Sequence, residues 1–275
     1  MNECDVVIVN FNTETFLKDA VESVMRSPAV ARVYVVDNGS TDTSLELLAQ
    51  VHDNRLVTIR NASNLGFAAG CNIGLARATA ESVLLLNPDC KVADGVIERL
   101  IAALQSKDRV GMVGPLLLNP DGSEQAVGRR KFPTPRVVFA QTFGSSRPPP
   151  LPKEPVEIEA ISGACMMVRR AAAAAIGPMD EAYFLHVEDL DWCMRFRQGG
   201  WAILFVPDAK VTHQKGISSR KRPLAVEYYK HRGIILFYRK FLSNTYSRWQ
   251  MVLLIIGVWS RFAGVAMWRL LSSWR

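Results

Sequence analysis

The chain has 275 residues, 49% hydrophobic and 21% charged, with a formal net charge of +7. That is enough chain to bury a core without disulfides or a structural metal, and too apolar for a disordered protein. Five cysteines (Cys4, Cys71, Cys90, Cys165 and Cys193), widely spaced and without a C-x-x-C pair, argue against a disulfide framework and for reduced thiols in a cytosolic compartment.

The first residues carry acids, Glu3 and Asp5, where a signal peptide would carry positive charge, so secretion is not expected. Val6-Val7-Ile8-Val9 is a β-branched run suited to a strand buried on both faces. Residues 15–26 show helical spacing, 33–36 a second strand, and Asp37-Asn38-Gly39-Ser40-Thr41-Asp42 a turn with a capping residue. A second helix is expected over 45–51, a third strand over 56–59, a third helix over 68–78, a fourth strand over 82–86 and a fourth helix over 95–105. Regular alternation of strand and helix predicts an α/β fold with a mainly parallel, doubly wound sheet. Ligands in such sheets bind beyond the carboxyl ends of the strands. The polar groups Asn10-Phe11-Asn12, Asp37-Asn38 and Asn87-Pro88-Asp89 all fall at those ends.

The second half is less regular. Residues 144–155 are rich in Pro and Ser and form either a mobile loop over the site or a connection to an acceptor-binding half. Residues 158–170 read as a strand broken by Gly163, and 171–176 as a short helix. From Lys210 onward there are thirteen Lys or Arg against one acid, Glu227, whereas the first 209 residues hold twenty basic and twenty-five acidic side chains. A basic tail on an acidic body points to a polyanionic partner: a membrane surface, a phosphate-bearing substrate or nucleic acid. Residues 249–274 are apolar and Trp-rich but interrupted by Arg261 and Arg269; the longest uncharged run is twelve residues, too short to span a bilayer. Trp and Arg together favour an in-plane anchor at an anionic membrane surface over a core or dimer helix.

Three acids in four residues, within Phe184-Leu185-His186-Val187-Glu188-Asp189-Leu190-Asp191-Trp192, are costly to bury unless metal, base or hydrogen-bond chemistry compensates, although a helix N-terminus also favours acids. Asp89 follows an apolar strand and is a candidate ligand for a hard divalent cation. His213, after another short strand, could complete such a site.

Taken in order along the chain, these segments resemble the family 2, GT-A-fold glycosyltransferases, and most of all their rhamnosyltransferase branch. The resemblance runs from Val7-Ile8-Val9-Asn10-Phe11-Asn12 through Val35-Val36-Asp37-Asn38-Gly39-Ser40-Thr41-Asp42, Asn64-Leu65-Gly66-Phe67-Ala68-Ala69-Gly70-Cys71-Asn72-Ile73-Gly74 and Leu84-Leu85-Leu86-Asn87-Pro88-Asp89. It continues with Ser162-Gly163-Ala164, Met179-Asp180-Glu181, Phe184 with Glu188-Asp189-Leu190-Asp191, and His213 with Gly216 and Ser218-Ser219. It implies a glycosyltransferase domain over 1–219, with a nucleotide-binding half to about 115 and an acceptor half over 116–219, followed by a basic, apolar helical segment over 220–275.

The resemblance also implies residue roles. Asp37 would recognise the pyrimidine, and Asn10, Asn12, Asn38, Asn64, Gly66, Asn72 and Asn87 would line the nucleotide-sugar pocket. Asn87-Pro88-Asp89 stands where the family has Asp-x-Asp, leaving Asp89 as the main carboxylate for Mg²⁺ or Mn²⁺, with His213 as second ligand. Asp189 would be the general base, Glu188 would orient it or the acceptor, and Asp191 and Trp192 would meet the acceptor. The implied reaction is an inverting transfer, with dTDP-L-rhamnose favoured as donor and a glycan or lipid-diphosphate-linked glycan as acceptor, at the cytoplasmic face of the cell membrane.

The rival enzyme class is a nucleotidyltransferase or another nucleotide-sugar enzyme. The first expects a Gly-rich phosphate loop after strand one, where this chain has Asn10-Phe11-Asn12-Thr13-Glu14; a dinucleotide-binding fold fails on the same absence of G-x-G-x-x-G. A non-enzymatic binding module for nucleic acid or membrane could also use the basic tail. No nucleic-acid-binding motif is evident, and no nucleic-acid partner is expected.

Overall fold

The structure is a computed structural model that describes residues 3–138, 150–214, 216 and 223–272. Residues 144–149 of the Pro-rich stretch, together with Ser218 and Ser219, lie outside the described residues.

The first half follows the expected alternation: β1 (Cys4–Asn10), α1 (Phe16–Met25), β2 (Val30–Asp37), α2 (Ser44–Leu48), β3 (Leu56–Arg60), α3 (Phe67–Leu75), β4 (Ser82–Leu86). Three further elements follow: β5 (Cys90–Val92), α4 (Val96–Gln105) and β6 (Val110–Leu118). The second half contains β7 (Val156–Glu157), β8 (Cys165–Arg169), α5 (Arg170–Ile176), α6 (Glu188–Gln198) and β9 (Ala202–His213). It ends in the helices α7 (Pro223–Phe241) and α8 (Arg248–Ser272).

One sheet runs in the order β3-β2-β1-β4-β8-β6-β9-β5, with β7 added beside β9. The pairs β1–β2, β2–β3, β1–β4 and β6–β9 are parallel. The pairs β4–β8, β6–β8, β5–β9 and β7–β9 are antiparallel. The parallel expectation therefore holds for β3-β2-β1-β4, while the far side is mixed: β8 enters against the grain between β4 and β6. The expected break at Gly163 ends up as the loop that precedes β8. The boundary drawn near residue 115 falls inside β6, so the two halves share one continuous sheet.

Alternation within the central strands sorts side chains to two cores, because successive Cβ atoms of a strand point to opposite faces. Val6, Ile8, Leu84 and Leu86 join Leu17, Val21, Leu100 and Ile101 from α1 and α4. Val7, Val9, Val83 and Leu85 face α3 and α6 with Ala68, Cys71, Leu190, Trp192 and Phe196. Helix α3 comes close because it shows glycine to β1: a Cβ on Gly70 would stand 2.6 Å from Val9 Cγ1, and one on Gly74 2.2 Å from Val7 Cγ1.

Ile235, Phe237, Tyr238 and Leu242, on or just after α7, are buried, and Phe237, Tyr238 and Leu242 join this second core. The C-terminal segment drawn from residue 220 is thus not a separate appendage; its first helix completes the second core. Helix α8 differs. It runs without a break through Arg261, and an 18-residue window within Arg248–Leu271 has a mean hydropathy of 1.8, so the helix is long and apolar enough to cross a membrane. The twelve-residue uncharged run reads as too short to span a bilayer, but the helix that contains it is 25 residues long.

Candidate active site

The strand ends β1 and β2 meet in register, Asn10 opposite Asp37. The Asn10 amide, fully buried, donates to Asp37 Oδ1 at 2.8 Å and lies 3.0 Å from the hydroxyls of Ser40 and Ser44. Asp37 Oδ2 accepts from the Ser40 backbone N–H at 3.0 Å. Asn12 sits at φ 53°, a left-handed conformation that Asn tolerates better than most residues, and its side-chain oxygen accepts from Thr41 N–H at 2.8 Å. These contacts lock the loops after β1 and β2 together. Asp37 is internal to that lock, with both oxygens engaged.

Asn38 extends the ledge, donating to Gly66 O at 3.0 Å and accepting from Asn61 Nδ2 at 2.8 Å, while Asn64 Oδ1 caps Gly66 N–H at 2.9 Å. Gly66 has φ 92°, and a Cβ there would lie 2.6 Å from Phe184 O, so only glycine fits. Asn72 has other work: its amide grips the Met179 N–H and C=O, both at 2.9 Å, and Glu181 Oε1 at 2.8 Å. It clips α3 to the segment before α6, and its polar atoms are engaged there rather than facing a nucleotide.

Asp89 lies in the short turn between β4 and β5. Antiparallel pairing of β5 with β9 sets Cys90 opposite His213, and Gln214 N–H donates to Asp89 O at 2.9 Å. This register brings Asp89 Oδ1 to 3.3 Å from His213 Nε2, with both side chains buried. The ligand atoms of Asp89, Cys90 and His213 lie within 4.8 Å of one another. Asp89 Oδ1 has no hydrogen-bond partner although it is buried, an arrangement that is costly unless another group is meant to meet it. Adjacent ligand atoms of an octahedral Mg²⁺ or Mn²⁺ stand about 3 Å apart, so the Asp89–His213 pair fits such an ion. Cys90 fits less well. Its thiol is pushed far up by burial and donates to Ala164 O at 3.3 Å, and hard cations prefer oxygen.

The acidic group begins α6. His186 and Val187 precede it at φ 67° and 76°, and for Val, which is β-branched, that is a strained conformation. Gly233 of α7 lies against this turn, where a Cβ would sit 3.0 Å from His186 O. The Asp189 Oδ2 atom accepts from Arg130 Nη1 at 2.6 Å and from Gly163 N–H at 3.0 Å; Oδ1 accepts from Leu190 N–H at 2.8 Å. Glu188 is buried with Oε2 unpartnered. Burial first, and the Asp189 charge second, push its carboxyl up to about 8.

Asp191 and Trp192 do not face an acceptor. Asp191 is fully buried between Arg195 Nε and Lys240 Nζ, each at 2.7 Å, joining α6 to α7. Trp192 is equally buried and donates from Nε1 to Gly177 O at 2.9 Å.

Two adjacent residues join the carboxylate pair to the metal candidate. Gly163 N–H holds Asp189, and Ala164 O accepts from Asn87 N–H at 2.8 Å. Arg130 and Gln125, which serve the two ends of the site, carried no signal in the sequence: one looks like a surface cation and the other like part of a polar turn.

A mixed sheet that is parallel from β3 to β4, with a locked ledge beyond β1 and β2, a metal-fitting pair after β4 and a buried carboxylate pair beside it, has the GT-A fold of glycosyltransferases. A family model described as Glycosyl transferase family 2 matches residues 5–177, more than half of the chain, and the chain belongs to that family. It is 27% identical over 270 residues to an N-acetylglucosaminyl-diphospho-decaprenol L-rhamnosyltransferase of Mycobacterium tuberculosis (strain CDC 1551 / Oshkosh), covering 89% of this chain and 85% of the relative. It is 25% identical over 247 residues to the dTDP-rhamnosyl transferase RfbF of Shigella flexneri, covering 85% and 79% of the two chains. The crystal structure of GalNAc-T7 with UDP, GalNAc and Mn²⁺ matches with a TM-score of 0.61 at 21% identity, over 77% of this chain and 43% of that one. The chain thus spans less than half the length of GalNAc-T7, and the likeness is one of fold.

Proposed function

We propose that this chain transfers L-rhamnose from dTDP-rhamnose to a hydroxyl of a lipid-diphosphate-linked glycan, with inversion, at the cytoplasmic face of a membrane. The observation that carries the reading is the union of the Asp89–His213 pair with the Glu188–Asp189 pair through Gly163 and Ala164. The sugar and carrier follow the two rhamnosyltransferase relatives, whose names specify a dTDP-rhamnosyl donor in one and a diphospho-decaprenol acceptor in the other.

In this reading Asn10, Asn12, Asp37, Asn38, Asn64 and Gly66 form the nucleoside ledge, with Asp37 acting through the Ser40 turn it holds. Asn87 and Asp89 border the diphosphate. Mg²⁺ or Mn²⁺ held by Asp89 and His213 would supply neutralisation of the leaving charge. Asp189, oriented by Arg130 and Gly163 N–H, takes the proton of the acceptor hydroxyl as its oxygen bonds to the anomeric carbon. The bond to the diphosphate breaks on the opposite face and dTDP leaves with the electron pair. Asp189→Asn should lower turnover by about 10²–10⁴-fold while donor binding survives. Near-normal turnover in single-turnover assays would remove Asp189 from this role.

The unpartnered Glu188 Oε2, on a carboxyl that titrates at about 8, favours a second reading in which Glu188 is the base. Glu188→Gln would then lose as much activity as the Asp189 variant, and the wild-type rate would climb to a plateau above pH 8. The test of the whole proposal is a donor panel assayed by nucleoside diphosphate release, with Mg²⁺, Mn²⁺ or chelator. Release from dTDP-rhamnose in preference to UDP- and GDP-sugars, lost with chelator, is the expected result. Preference for a UDP-sugar would overturn the donor.

Helix α8 supports seating at a membrane. Both its internal arginines turn to α7: Arg261 donates to His231 Nε2 at 3.0 Å, and Arg269 lies 3.5 Å from Glu227. Trp249, Leu253, Trp268 and Leu271 are exposed. Tyr228 of α7 packs on Trp259 and Phe262, so α8 has a protein side and a lipid side, which favours lying in the interface over crossing it.

A further inference from the structure

We propose that Gln125 is a positioning residue that sets which imidazole nitrogen of His213 is free to bind the metal; the inference rests on the Asp89–His213 metal reading. Gln125 follows the turn that reverses the chain after β6. Asn119 N–H donates to Ser123 O at 2.8 Å and Gln125 N–H to Leu117 O at 2.8 Å, so the backbone is returned alongside β6. The side chain then reaches the end of β9 and is almost wholly buried.

Its amide has one possible orientation. Nε2 lies 2.7 Å from His213 O and 3.3 Å from Leu118 O, and both partners are carbonyls that can only accept. The amide nitrogen must occupy that position, which turns Oε1 to His213 Nδ1 at 2.9 Å. An amide oxygen can only accept, so Nδ1 carries the hydrogen. In the neutral imidazole Nε2 is then left with its lone pair, and this is the atom that faces Asp89 Oδ1 at 3.3 Å. Two lone-pair atoms face each other in a buried site, an arrangement that a cation between them relieves. Gln125 thus grips the same residue twice, by ring and by backbone carbonyl, so ring tautomer and strand position are set together. Outer partners of this kind change metal affinity by about 10–100-fold.

Three measurements on the full chain test this. In metal-free wild type, ¹⁵N NMR of the histidine rings should show His213 protonated at Nδ1 and bare at Nε2. The opposite tautomer overturns the proposal, with no variant needed. Mn²⁺ titration followed by electron paramagnetic resonance should show about 10–100-fold weaker binding in Gln125→Leu. Gln125→Glu keeps an acceptor against Nδ1, though not the donor to His213 O, and should bind Mn²⁺ more tightly than Leu. If Leu binds Mn²⁺ like wild type, or if Glu is as weak as Leu while both melt cooperatively, Gln125 is merely structural and the proposal fails. A wild type that binds no Mn²⁺ would instead defeat the metal reading itself, so the two failures are distinguishable.

Discussion

Glu188 and Asp189 are neighbours in sequence with opposite surroundings. Asp189 accepts from a guanidinium and two backbone N–H groups, whereas Glu188 is buried with an oxygen left over. A carboxyl raised to about 8 in the folded chain and ordinary in the unfolded one favours its protonated form on folding. The folded state therefore binds more protons between about pH 4.5 and 8, and this group's contribution to stability falls as pH rises through that window. Glu188→Gln should thus be near neutral at pH 4 and stabilising by roughly 2–4 kcal/mol at pH 9, measured by urea denaturation at both values. An equal effect at both would contradict the assigned environment. Removing the Asp191 charge has the opposite sign. Asp191→Asn breaks the contacts to Arg195 and Lys240 and should destabilise by about 2–4 kcal/mol, with little change in the acceptor KM of the protein that remains folded. The acids themselves were legible in the sequence because three of them stood among apolar residues. Their different fates were not, since they depend on Arg130, Gly163 and Lys240, at distances along the chain that no local pattern encodes.

At the scale of elements, the parallel half of the sheet was legible because each buried strand is a short apolar run and each βα loop carries its polar cluster at the same end. The reversal of β8 was not. Its sequence, Cys-Met-Met-Val-Arg, is as apolar as its neighbours, and direction is decided by which strands it lies between. Likewise β5 is three residues long and exists through its pairing with β9, yet that pairing is what brings His213 to Asp89. The glycines of α3 show the same dependence on tertiary context: in an isolated helix they would only weaken it, and here they let it approach β1. Gly74→Ala should therefore cost about 1–3 kcal/mol despite the better helix propensity of alanine, read as a lowered melting temperature. A stabilised variant would mean that Val7 has room to yield.

Across the whole molecule, charge and apolar surface converge on one end of the chain. Thirteen of the cationic residues follow position 209, and α8 carries much of the exposed large apolar surface. The sequence located this segment but counted its uncharged run only as far as Ser260, because a charge in an apolar run reads as an interruption until the structure shows Arg261 turned to His231. The expected behaviour is flotation with vesicles containing anionic lipid, lost on replacing Trp249, Leu253, Trp268 and Leu271 with Ser while donor hydrolysis is kept. Flotation of that variant equal to wild type would remove α8 from membrane contact. Helix α7 should not be deleted in such a test, since Phe237 and Tyr238 belong to the core.

The loop before β8 has a wider consequence. Gly163 and Ala164 are successive residues, with Cα atoms about 3.8 Å apart. One holds the Asp189 carboxylate and the other the turn that ends in Asp89. The separation of Asp189 from that turn is thus tied to a covalent ruler, insensitive to the breathing of either flanking helix. An insertion here would lengthen the gauge itself and move Asp189 relative to Asp89 even with every helix left in place.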